Sequence, residues 1–231
     1  MLETEQREFR REVPEEAQLD FLSALDTSKS WNDPASIIEG YDGVIFGGSG
    51  EFDLHGNRED TDIAKKTARE ILARLEPLMH YVVSTDFPTL GVCFGHQLLA
   101  EMHGGNIVSD DAQKKAGTYD VVLTDDAKSD RIFSDFPPQF AAQYGHRDSV
   151  TSLPKDALLL ATGSACRFSA LRYGQSVYTV QFHPEMTRED AIERFKKAPG
   201  YLPEGMEPED LVRESLDASR IIPLFVEKVV A

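Results

Sequence analysis

The sequence predicts an α/β protein with a mainly parallel central sheet flanked by helices and a smaller antiparallel strand region in its second half. In the first half, short apolar runs alternate with amphipathic runs, which is typical of strand–helix–strand units. In the second half, short apolar runs follow one another between turn residues, which favours successive strands. A length of 231 residues is enough for a sizeable core. We therefore expect one domain over residues 1–231.

The first half is predicted to contain a charged helix at its start and then alternating strands and helices. Strands are expected at 19–25, 44–46 and 89–93, and helices at 3–12, 34–39, 60–79 and 95–103. Asp33 can cap the second of these helices, Pro34 fits its first turn and Gly40 ends it. The helix at 60–79 is predicted by apolar residues that recur with a helical period.

The second half of the chain is predicted to contain mainly successive strands. Strands are expected in the runs "TYDVVL", "QFAAQYG", "ALLLAT", "FSALRYG" and "SVYTVQFH". Helices are expected at 187–197 and 209–229, and the Pro- and Gly-rich stretch at 198–210 joins them.

Composition excludes several classes of function. A formal charge of -16 disfavours nucleic-acid binding, because phosphates would be repelled. No apolar run is long enough to span a membrane, and the charged N-terminus does not resemble a secretory signal. Two cysteines indicate a reducing, cytoplasmic setting rather than a disulfide scaffold. We see no metal-binding or nucleotide-binding motif, so no cofactor is expected.

One cysteine stands where a nucleophile could be presented. Cys93 follows a predicted strand and precedes a predicted helix, with Gly91 and Gly95 on either side. A sharp turn there would expose the thiol, the helix N-terminus would favour its thiolate, and the following N–H groups could face an oxyanion. The alternative is a buried core thiol, which is common for cysteine in general.

A base and a carboxylate are also available. His183 ends the apolar run "SVYTVQFH", Pro184 stops strand pairing, and Glu185 can reach back to orient the imidazole. A thiol, an imidazole and a carboxylate make a generalised catalytic triad. By itself "HPE" is a weak signal, because an exposed loop is an equally good interpretation.

Taken together, these segments resemble the class I glutamine amidotransferases, whose glutaminase domains carry a triad. The resemblance rests on "GVCFGHQLLAEMHGG", "VQFHPE", "YDGVIFGGSGE" and "GHRDSV", in that family's arrangement, and covers roughly residues 40–190. It implies a flavodoxin-like fold, with residues 198–231 as a C-terminal helical extension. The form "GGSGEFD" resembles stand-alone, GMP-synthase-like members.

The resemblance implies a role for each matching residue. Cys93 would be the nucleophile, His183 the base and Glu185 its orienting carboxylate. The further implied positions are the oxyanion donors Gly48 and Phe94, the substrate-binding residues Gln97 and Gly47, and the possible pocket residues His146 and Asp148. The second cysteine, Cys166, matches nothing in the family and is expected in the core.

The N-terminus departs from the family pattern. Family members open with a hydrophobic strand, whereas this chain has none before residue 17. We therefore expect a shortened form, with a gap or a repacked contact beside the strand at Val44–Phe46.

Three functions remain open at this point. The first is a glutaminase that acts through a γ-glutamyl thioester and passes ammonia to a separate synthase subunit. The second is a stand-alone hydrolase of a small γ-glutamyl compound or peptide. The third is a catalytically silent protein with a binding or regulatory role in a synthase complex, against which the intact Cys93, His183 and Glu185 argue.

Overall fold

The computed structural model describes residues 2–110, 112–113, 115–164 and 166–231. The α-helices are α1 (Leu2–Glu12), α2 (Pro34–Ile37), α3 (Ile63–Ser84), α4 (Phe94–Met102), α5 (Arg188–Lys197), α6 (Pro208–Leu211), α7 (Leu216–Ser219) and α8 (Ile221–Phe225). The strands are β1 (Val44–Phe46), β2 (Thr89–Val92), β3 (Ile107–Ser109), β4 (Lys115–Leu123), β5 (Gln139–His146), β6 (Asp148–Val150), β7 (Ala157–Thr162), β8 (Ala170–Tyr173) and β9 (Val177–Val180). Short 3₁₀ turns cover Asp126–Ser129, Phe133–Asp135 and Pro199–Tyr201, and a π-helical turn covers Val226–Val230.

A seven-stranded mixed sheet runs through the molecule in the order β1-β2-β9-β8-β7-β4-β5. The strands β1, β2 and β9 pair in parallel, and every other neighbouring pair in this sheet is antiparallel. The α/β class is therefore confirmed, but the antiparallel part is larger than the sequence predicted. Short connections join β7 to β8 and β8 to β9, and only antiparallel neighbours can be joined in that way. The strands β3 and β6 form a separate antiparallel pair that the sequence did not reveal.

Helices cover both faces of the sheet. Leu75 and Met79 of α3 pack with Phe94 and Leu98 of α4 in one apolar cluster. On the other face, α8 and the turn after it place their apolar side chains in a second cluster with β2, β9, β4 and β5. Both cysteines belong to this second cluster. The carboxyl ends of the parallel strands lie between the two helical layers, where sites in open α/β sheets usually form.

Local sequence signals position several helices as predicted. The Asp33 carboxylate accepts a hydrogen bond from the N–H of Ser36 and caps α2, with Pro34 at its first position. Thr187 and Asp190 form a capping box at the start of α5. The helix α3 begins after Asp62, which caps it, and continues past Pro77 to Ser84. It is therefore longer at its C-terminal end than the prediction.

The predicted strand at residues 19–25 is wrong. This segment has no regular secondary structure, and Phe21, Leu22 and Leu25 are substantially exposed. Only Leu19 and Ala24 of its apolar residues pack against the core. An apolar run becomes a strand only where a neighbouring strand can accept its hydrogen bonds, and none pairs with this run.

The predicted helix at 209–229 is also wrong as a single element. The chain forms α6, leaves helical conformation at Val212, and then forms α7 and α8. The N–H of Arg213 donates to Oγ1 of Thr118 at 2.8 Å, and Nε2 of Gln143 donates to the Arg213 carbonyl at 2.8 Å. These bonds to β4 and β5 replace the helical ones and hold the segment in extended conformation.

The N-terminal region contributes a helix and no strand among its described residues. The strand β1 pairs directly with β2, with Ile45 opposite Leu90. The expected gap between these two strands is therefore absent. On its other side, β1 forms the edge of the sheet as far as the structure is described.

Candidate active site

Cys93 occupies a strained turn between β2 and α4. Its φ of 49° and ψ of -96° lie outside the regions that residues with a side chain ordinarily adopt. Two backbone bonds hold it there. Its N–H donates to the Val180 carbonyl at 2.8 Å, and its carbonyl accepts from the N–H of Gln97 at 3.1 Å. The turn therefore belongs to the sheet on one side and to the helix on the other.

The two flanking glycines are required by close packing. A Cβ at Gly95 would lie 2.3 Å from the Phe46 carbonyl oxygen, well inside contact distance. A Cβ at Gly91 would lie 2.9 Å from Cγ2 of Thr179. The start of α4 can therefore approach β1 and β2 only because Gly95 and Gly91 lack side chains. This is the crowding that the glycine spacing predicted.

The next feature is the pair formed by His183 and Glu185. Nδ1 of His183 lies 2.7 Å from Oε1 of Glu185, and both side chains are buried. The backbone N–H of His183 donates to the Gln143 carbonyl at 2.9 Å, which fixes the chain just beyond β9. With Nδ1 engaged by the carboxylate, the other ring nitrogen is left for a proton transfer.

The electrostatics of the pair favour two charges. Burial by itself would lower the pKa of His183, but Glu185 and Cys93 outweigh it and raise that pKa above its ordinary value. Burial would likewise raise the pKa of Glu185, but His183 and then Arg194 lower it. The histidine is therefore a stronger base than a free imidazole, and the carboxylate stays ionised beside it.

Cys93, His183 and Gly48 meet at one point. The Cys93 side chain is one of the groups that raise the pKa of His183, so the two side chains are neighbours. A Cβ at Gly48 would lie 3.1 Å from Cε1 of His183 and 3.6 Å from Cβ of Cys93. Phe94 follows Cys93 as the first residue of α4. The Gly47 carbonyl accepts from the N–H of Gly95 at 3.1 Å and joins the glycine turn to α4.

One finding at this point was not anticipated. The N–H of Gly48 donates to Oε1 of Glu5 in α1, at 2.8 Å. Burial, followed by the charge on Glu185, raises the pKa of Glu5 to about 7. A carboxyl group from the N-terminal helix therefore accepts the hydrogen bond of an N–H group that lies beside the thiol.

Two glutamines line the thiol side of the site. Nε2 of Gln97 donates to the Asp148 carbonyl at 2.7 Å and to Oε1 of Gln181 at 3.2 Å. Nε2 of Gln181 in turn lies 3.7 Å from Sγ of Cys93. Sequence reasoning named Gln97 but missed Gln181, although it stands two residues before His183 in the quoted "VQFHPE".

His146 and Asp148 contact the loops around the site. The Asp148 carboxylate accepts hydrogen bonds from the N–H groups of His55 and Gly56, at 2.8 and 2.7 Å. Nδ1 of His146 lies 3.0 Å from the Asp148 carbonyl. These contacts fasten the loop that follows the glycine turn and shape the pocket.

A narrow cavity opens beside Cys93. Its walls are formed by Ser49, Phe52, Asp53, Cys93, Phe94, Gln97, Gly145, His146, Arg147 and Tyr201. Its volume of about 10 Å³ is about enough for one water molecule. A glutamine side chain is larger, so entry of such a substrate requires the wall to move.

The outer wall of the cavity is built from charged and aromatic groups that the sequence did not single out. Nη1 of Arg147 lies 3.2 Å from Oδ2 of Asp53, and its guanidinium lies 4.2 Å from the ring centre of Tyr201. Tyr201 comes from the 3₁₀ turn after α5. Nothing local in "APGYLPEG" indicates that this tyrosine faces the site.

The other two groups of interest lie away from the cavity. His96 is buried with Nδ1 2.8 Å from Oγ1 of Thr179, and burial lowers its pKa to about 3. Cys166 is fully buried in the core, as expected.

Among the described residues, no group of three or more His, Cys, Asp or Glu side chains could hold a metal ion. No helix in the described part of the chain is both long and apolar enough to cross a membrane.

Comparison with known proteins places this geometry in a family. The sequence profile of "Glutamine amidotransferase class-I" matches residues 26–196, more than half of the chain. The glutamine-hydrolyzing GMP synthase subunit of Methanothermobacter thermautotrophicus is 35% identical over 121 residues, which are 51% of this chain and 63% of that protein. The corresponding protein of Sulfurisphaera tokodaii is 32% identical over 170 residues, which are 71% of this chain and 78% of that protein.

The matches to three such relatives, each named as this same GMP synthase subunit, span 61 to 64% of the length of those proteins.

Solved structures agree on the fold. One described as a GMP synthase subunit from Thermoplasma acidophilum has a TM-score of 0.53 and 25% identity, covering 74% of this chain and 77% of that one. A glutamine amidotransferase from Thermotoga maritima has a TM-score of 0.64 and 20% identity, covering 84% and 80%. The triad motifs, the fold and the match over residues 26–196 agree, and the chain belongs to the class-I glutamine amidotransferase family.

Proposed function

We propose that this protein hydrolyses the side-chain amide of glutamine, or a similar γ-glutamyl amide, through a thioester on Cys93. The observation that carries the proposal is the contact chain at the strained turn. His183 is a neighbour of Cys93 on one side, and its Nδ1 lies 2.7 Å from Oε1 of Glu185 on the other. A thiol, a base and an orienting carboxylate in that order are the parts needed for acyl transfer.

The first half of the reaction releases ammonia. The free ring nitrogen of His183 takes the thiol proton, and the sulfur forms a bond to the carboxamide carbon. The carbonyl electrons move to oxygen, which becomes an oxyanion near the N–H groups of Gly48 and Phe94. When the carbonyl re-forms, the carbon–nitrogen bond breaks and His183 returns the proton to the leaving nitrogen. One oxyanion donor of this kind is worth about 3 kcal/mol in the transition state.

The second half regenerates the thiol. Water attacks the thioester while His183 takes its proton, and a second oxyanion forms at the same place. Collapse of this intermediate breaks the carbon–sulfur bond and releases glutamate. The proton on His183 then returns to the sulfur. Throughout, the Glu185 carboxylate stabilises the imidazolium that forms twice in each cycle.

The relatives' names give the proposal its direction. They are described as glutamine-hydrolyzing components of GMP synthase, which favours glutamine as the amide donor and, as the partner, a separate synthase subunit. The alternative is a stand-alone hydrolase of a small γ-glutamyl compound, which the same triad would serve. The alternative of a catalytically silent protein is less favoured, because Cys93, His183 and Glu185 are all present and are neighbours.

The test is a comparison of two substrates with the purified full-length chain. Ammonia and glutamate are measured from glutamine, and aniline is measured from γ-glutamyl anilide. Hydroxylamine is added in a parallel reaction, because it intercepts a γ-glutamyl thioester as the hydroxamate. We expect equal amounts of ammonia and glutamate from glutamine, and hydroxamate when hydroxylamine is present.

The Cys93→Ala variant provides the matched control and should give none of these products. Turnover of the anilide without turnover of glutamine would assign the protein to the γ-glutamyl hydrolases. Absence of turnover for both substrates, also after addition of the separate synthase subunit, would support a catalytically silent role. Turnover that survives Cys93→Ala would overturn the assignment of the nucleophile.

A further inference from the structure

A half-buried arginine, Arg194, lies behind the proposed triad. Nη2 of Arg194 in α5 lies 3.5 Å from Oε1 of Glu185, on the same oxygen that faces His183. The same guanidinium contacts Glu8 of α1 through Nη2, and its Nε lies 3.4 Å from Oε1 of Glu8. Glu8 and Glu185 are both fully buried. The guanidinium of Arg194 therefore lies between two buried carboxylates.

The charges in this group depend on one another. Burial alone would raise the pKa of Glu185, and Arg194 is one of the groups that lower it. Burial would lower the pKa of Arg194, but Glu185 and Glu8 together raise it, so that it stays charged. Burial keeps the pKa of Glu8 raised in spite of Arg194. An isolated buried carboxylate would take up a proton instead.

The position of Glu185 depends on the same helix pair. Oε2 of Glu185 is buried with no hydrogen-bond partner among the described residues, so little else fixes this carboxylate. Nη2 of Arg11 donates to the backbone carbonyl of Glu185 at 2.6 Å, and its Nη1 lies 2.8 Å from Asp190 of α5. Glu8 and Arg11 are three residues apart and share one face of α1. This face therefore contacts both the main chain of Glu185 and the arginine that faces its side chain.

We propose that Arg194, held by Glu8, is a positioning residue that keeps Glu185 ionised and directed at His183. This inference rests on the proposed function. It extends the chain of contacts to Cys93, His183, Glu185, Arg194 and Glu8, which come from four separate parts of the sequence. Arg194 does not line the cavity beside Cys93, so it acts on the site through the carboxylates that face it, chiefly Glu185.

The experiment measures the pH dependence of glutamine hydrolysis in Arg194→Gln and Arg194→Lys. Reaction of Cys93 with a γ-glutamyl affinity label counts the competent sites, so that kcat refers to folded enzyme. In Arg194→Gln we expect kcat to fall about tenfold or more, with KM little changed. The pH at which activity is lost on the acidic side of the profile should rise by about one pH unit or more. The reason is that the pKa of Glu185 rises when the positive charge of Arg194 is removed. The lysine variant should recover part of both.

Two further variants keep the test decisive if Arg194→Gln folds poorly. The double variant Glu8→Gln with Arg194→Gln removes one charge of each sign, so it should recover folding and still show the displaced acidic limb. Arg188→Gln, on the same helix and paired among the described residues with Glu189, should keep the wild-type profile. If both Arg194 variants have the wild-type kcat per labelled site and lose activity at the same acidic pH as the wild type, the role of Arg194 is purely structural. If the wild-type protein itself neither reacts with the label nor releases ammonia, the proposed function has failed first.

A second, independent observation concerns Glu5. Its carboxylate accepts the N–H of Gly48 at 2.8 Å, and a Cβ placed on Gly48 would lie 3.1 Å from both Oε1 of Glu5 and Cε1 of His183. The groups that face Glu5 are Glu185, Arg194 and His183, besides this N–H. Phe9, one turn further along α1, is buried in the core and anchors the helix in place.

We infer that Glu5 forms an autoinhibitory contact, because its carboxylate occupies the donor that the reaction's oxyanion needs. This inference also rests on the proposed function. The start of α1 must then shift, or Glu5 must lose its charge, before the oxyanion can use Gly48. The contact weakens as pH falls through about 7, where Glu5 takes up a proton.

The test compares Glu5→Ala with Glu3→Ala, a change at an exposed position of the same helix. Removal of the Glu5 carboxylate should raise kcat at pH 8, by up to about a hundredfold if the donor is fully released. Glu3→Ala should match the wild type. Glu5→Gln keeps the size of the side chain without its charge and should show an intermediate gain at pH 8 and little gain at pH 6. Thermal melting checks that the variants fold. A kcat equal to or below that of the wild type in folded Glu5→Ala and Glu5→Gln would overturn the inference.

Discussion

Cys93 and Cys166 are both free thiols in the same apolar cluster, with 4% and 0% of their surface exposed. Burial therefore does not separate them. Cys93 is the N-cap of α4 at a φ of 49° and is a neighbour of His183. Cys166 lies in a loop before β8, and burial raises the pKa of its thiol to about 12.

The neighbours of the two thiols explain the difference. Next to Cys93 is an imidazole whose pKa is raised by a carboxylate, so a negative sulfur there would face a positive ring. Next to Cys166 are neutral hydroxyl groups. Oγ of Ser169 donates to the Cys166 carbonyl at 2.8 Å and accepts from the Tyr144 hydroxyl at 3.1 Å. A thiol among neutral groups in the core stays protonated, whereas a thiol beside a charged pair can react.

The largest expected effect is on activity. Cys93→Ala should lower ammonia release from glutamine by more than about a thousandfold, because it removes the sulfur on which the proposed thioester forms. Cys166→Ala, the matched change in the same cluster, should keep kcat within about twofold while costing about 1 kcal/mol of stability. Ammonia release at saturating glutamine and thermal melting measure both. A similar loss of activity in the two variants, with both folded, would remove the distinction between the thiols.

The second effect is on thiol reactivity. At pH 8 only about one Cys166 in ten thousand is ionised, because its pKa lies about four units higher. We therefore expect iodoacetamide to alkylate Cys93 and leave Cys166 unmodified until the protein unfolds. Peptide mapping by mass spectrometry after timed labelling gives both rates.

The variant Glu185→Gln sharpens this prediction. Loss of the carboxylate lowers the pKa of His183, so the positive ring beside the sulfur is lost at a lower pH than in the wild type. Alkylation of Cys93 at neutral pH should slow down, while Cys166 remains unreactive. Equal alkylation rates of Cys93 with and without the carboxylate would contradict the proposed role of His183.

The smallest effect is on stability and concerns the turn that presents Cys93. Gly95→Ala should destabilise the fold by about 1–3 kcal/mol, because the new methyl group would overlap the Phe46 carbonyl. Gly200→Ala has only Arg147 near its Cβ, at 3.9 Å, and should change the free energy of unfolding little. Urea denaturation measures both. If the two glycine variants were equally stable, the close approach of α4 to β1 would not be needed to form the turn.

The sequence already contained the local part of this site. The strand, turn and helix around Cys93 follow from an apolar run, two glycines and a helical repeat, all within about a dozen residues. The apolar run that ends at His183 made this residue and Glu185 candidates, but the local signal was weak and the resemblance to the family supplied their proposed roles. Such signals are readable because strands, turns and helix starts are governed by neighbouring residues.

The same local reading misjudged the segments whose conformation depends on distant partners. The run at 19–25 has strand composition but no strand beside it, and 209–229 has helical periodicity that is interrupted where Arg213 bonds to β4 and β5. Gln181 faces Cys93 because side chains alternate between the two sides of β9 and of the chain just beyond it. That side belongs to the site only because α4 lies next to it.

By itself, then, the sequence determined the turn at Cys93, the His-Pro-Glu segment and the strands and helices that carry them, because each depends on spacing along a short stretch of chain. Only the tertiary structure decided the surroundings of the proposed triad. In the sequence, α1 is simply a charged helix, and its glutamates are of a type that is usually exposed to solvent. The fold places Glu8 against Arg194, 186 residues further along the chain, and Glu5 against Gly48. These positions bury Glu8, partly bury Glu5 and raise the pKa of both carboxyl groups, and no local pattern specifies a partner so far away.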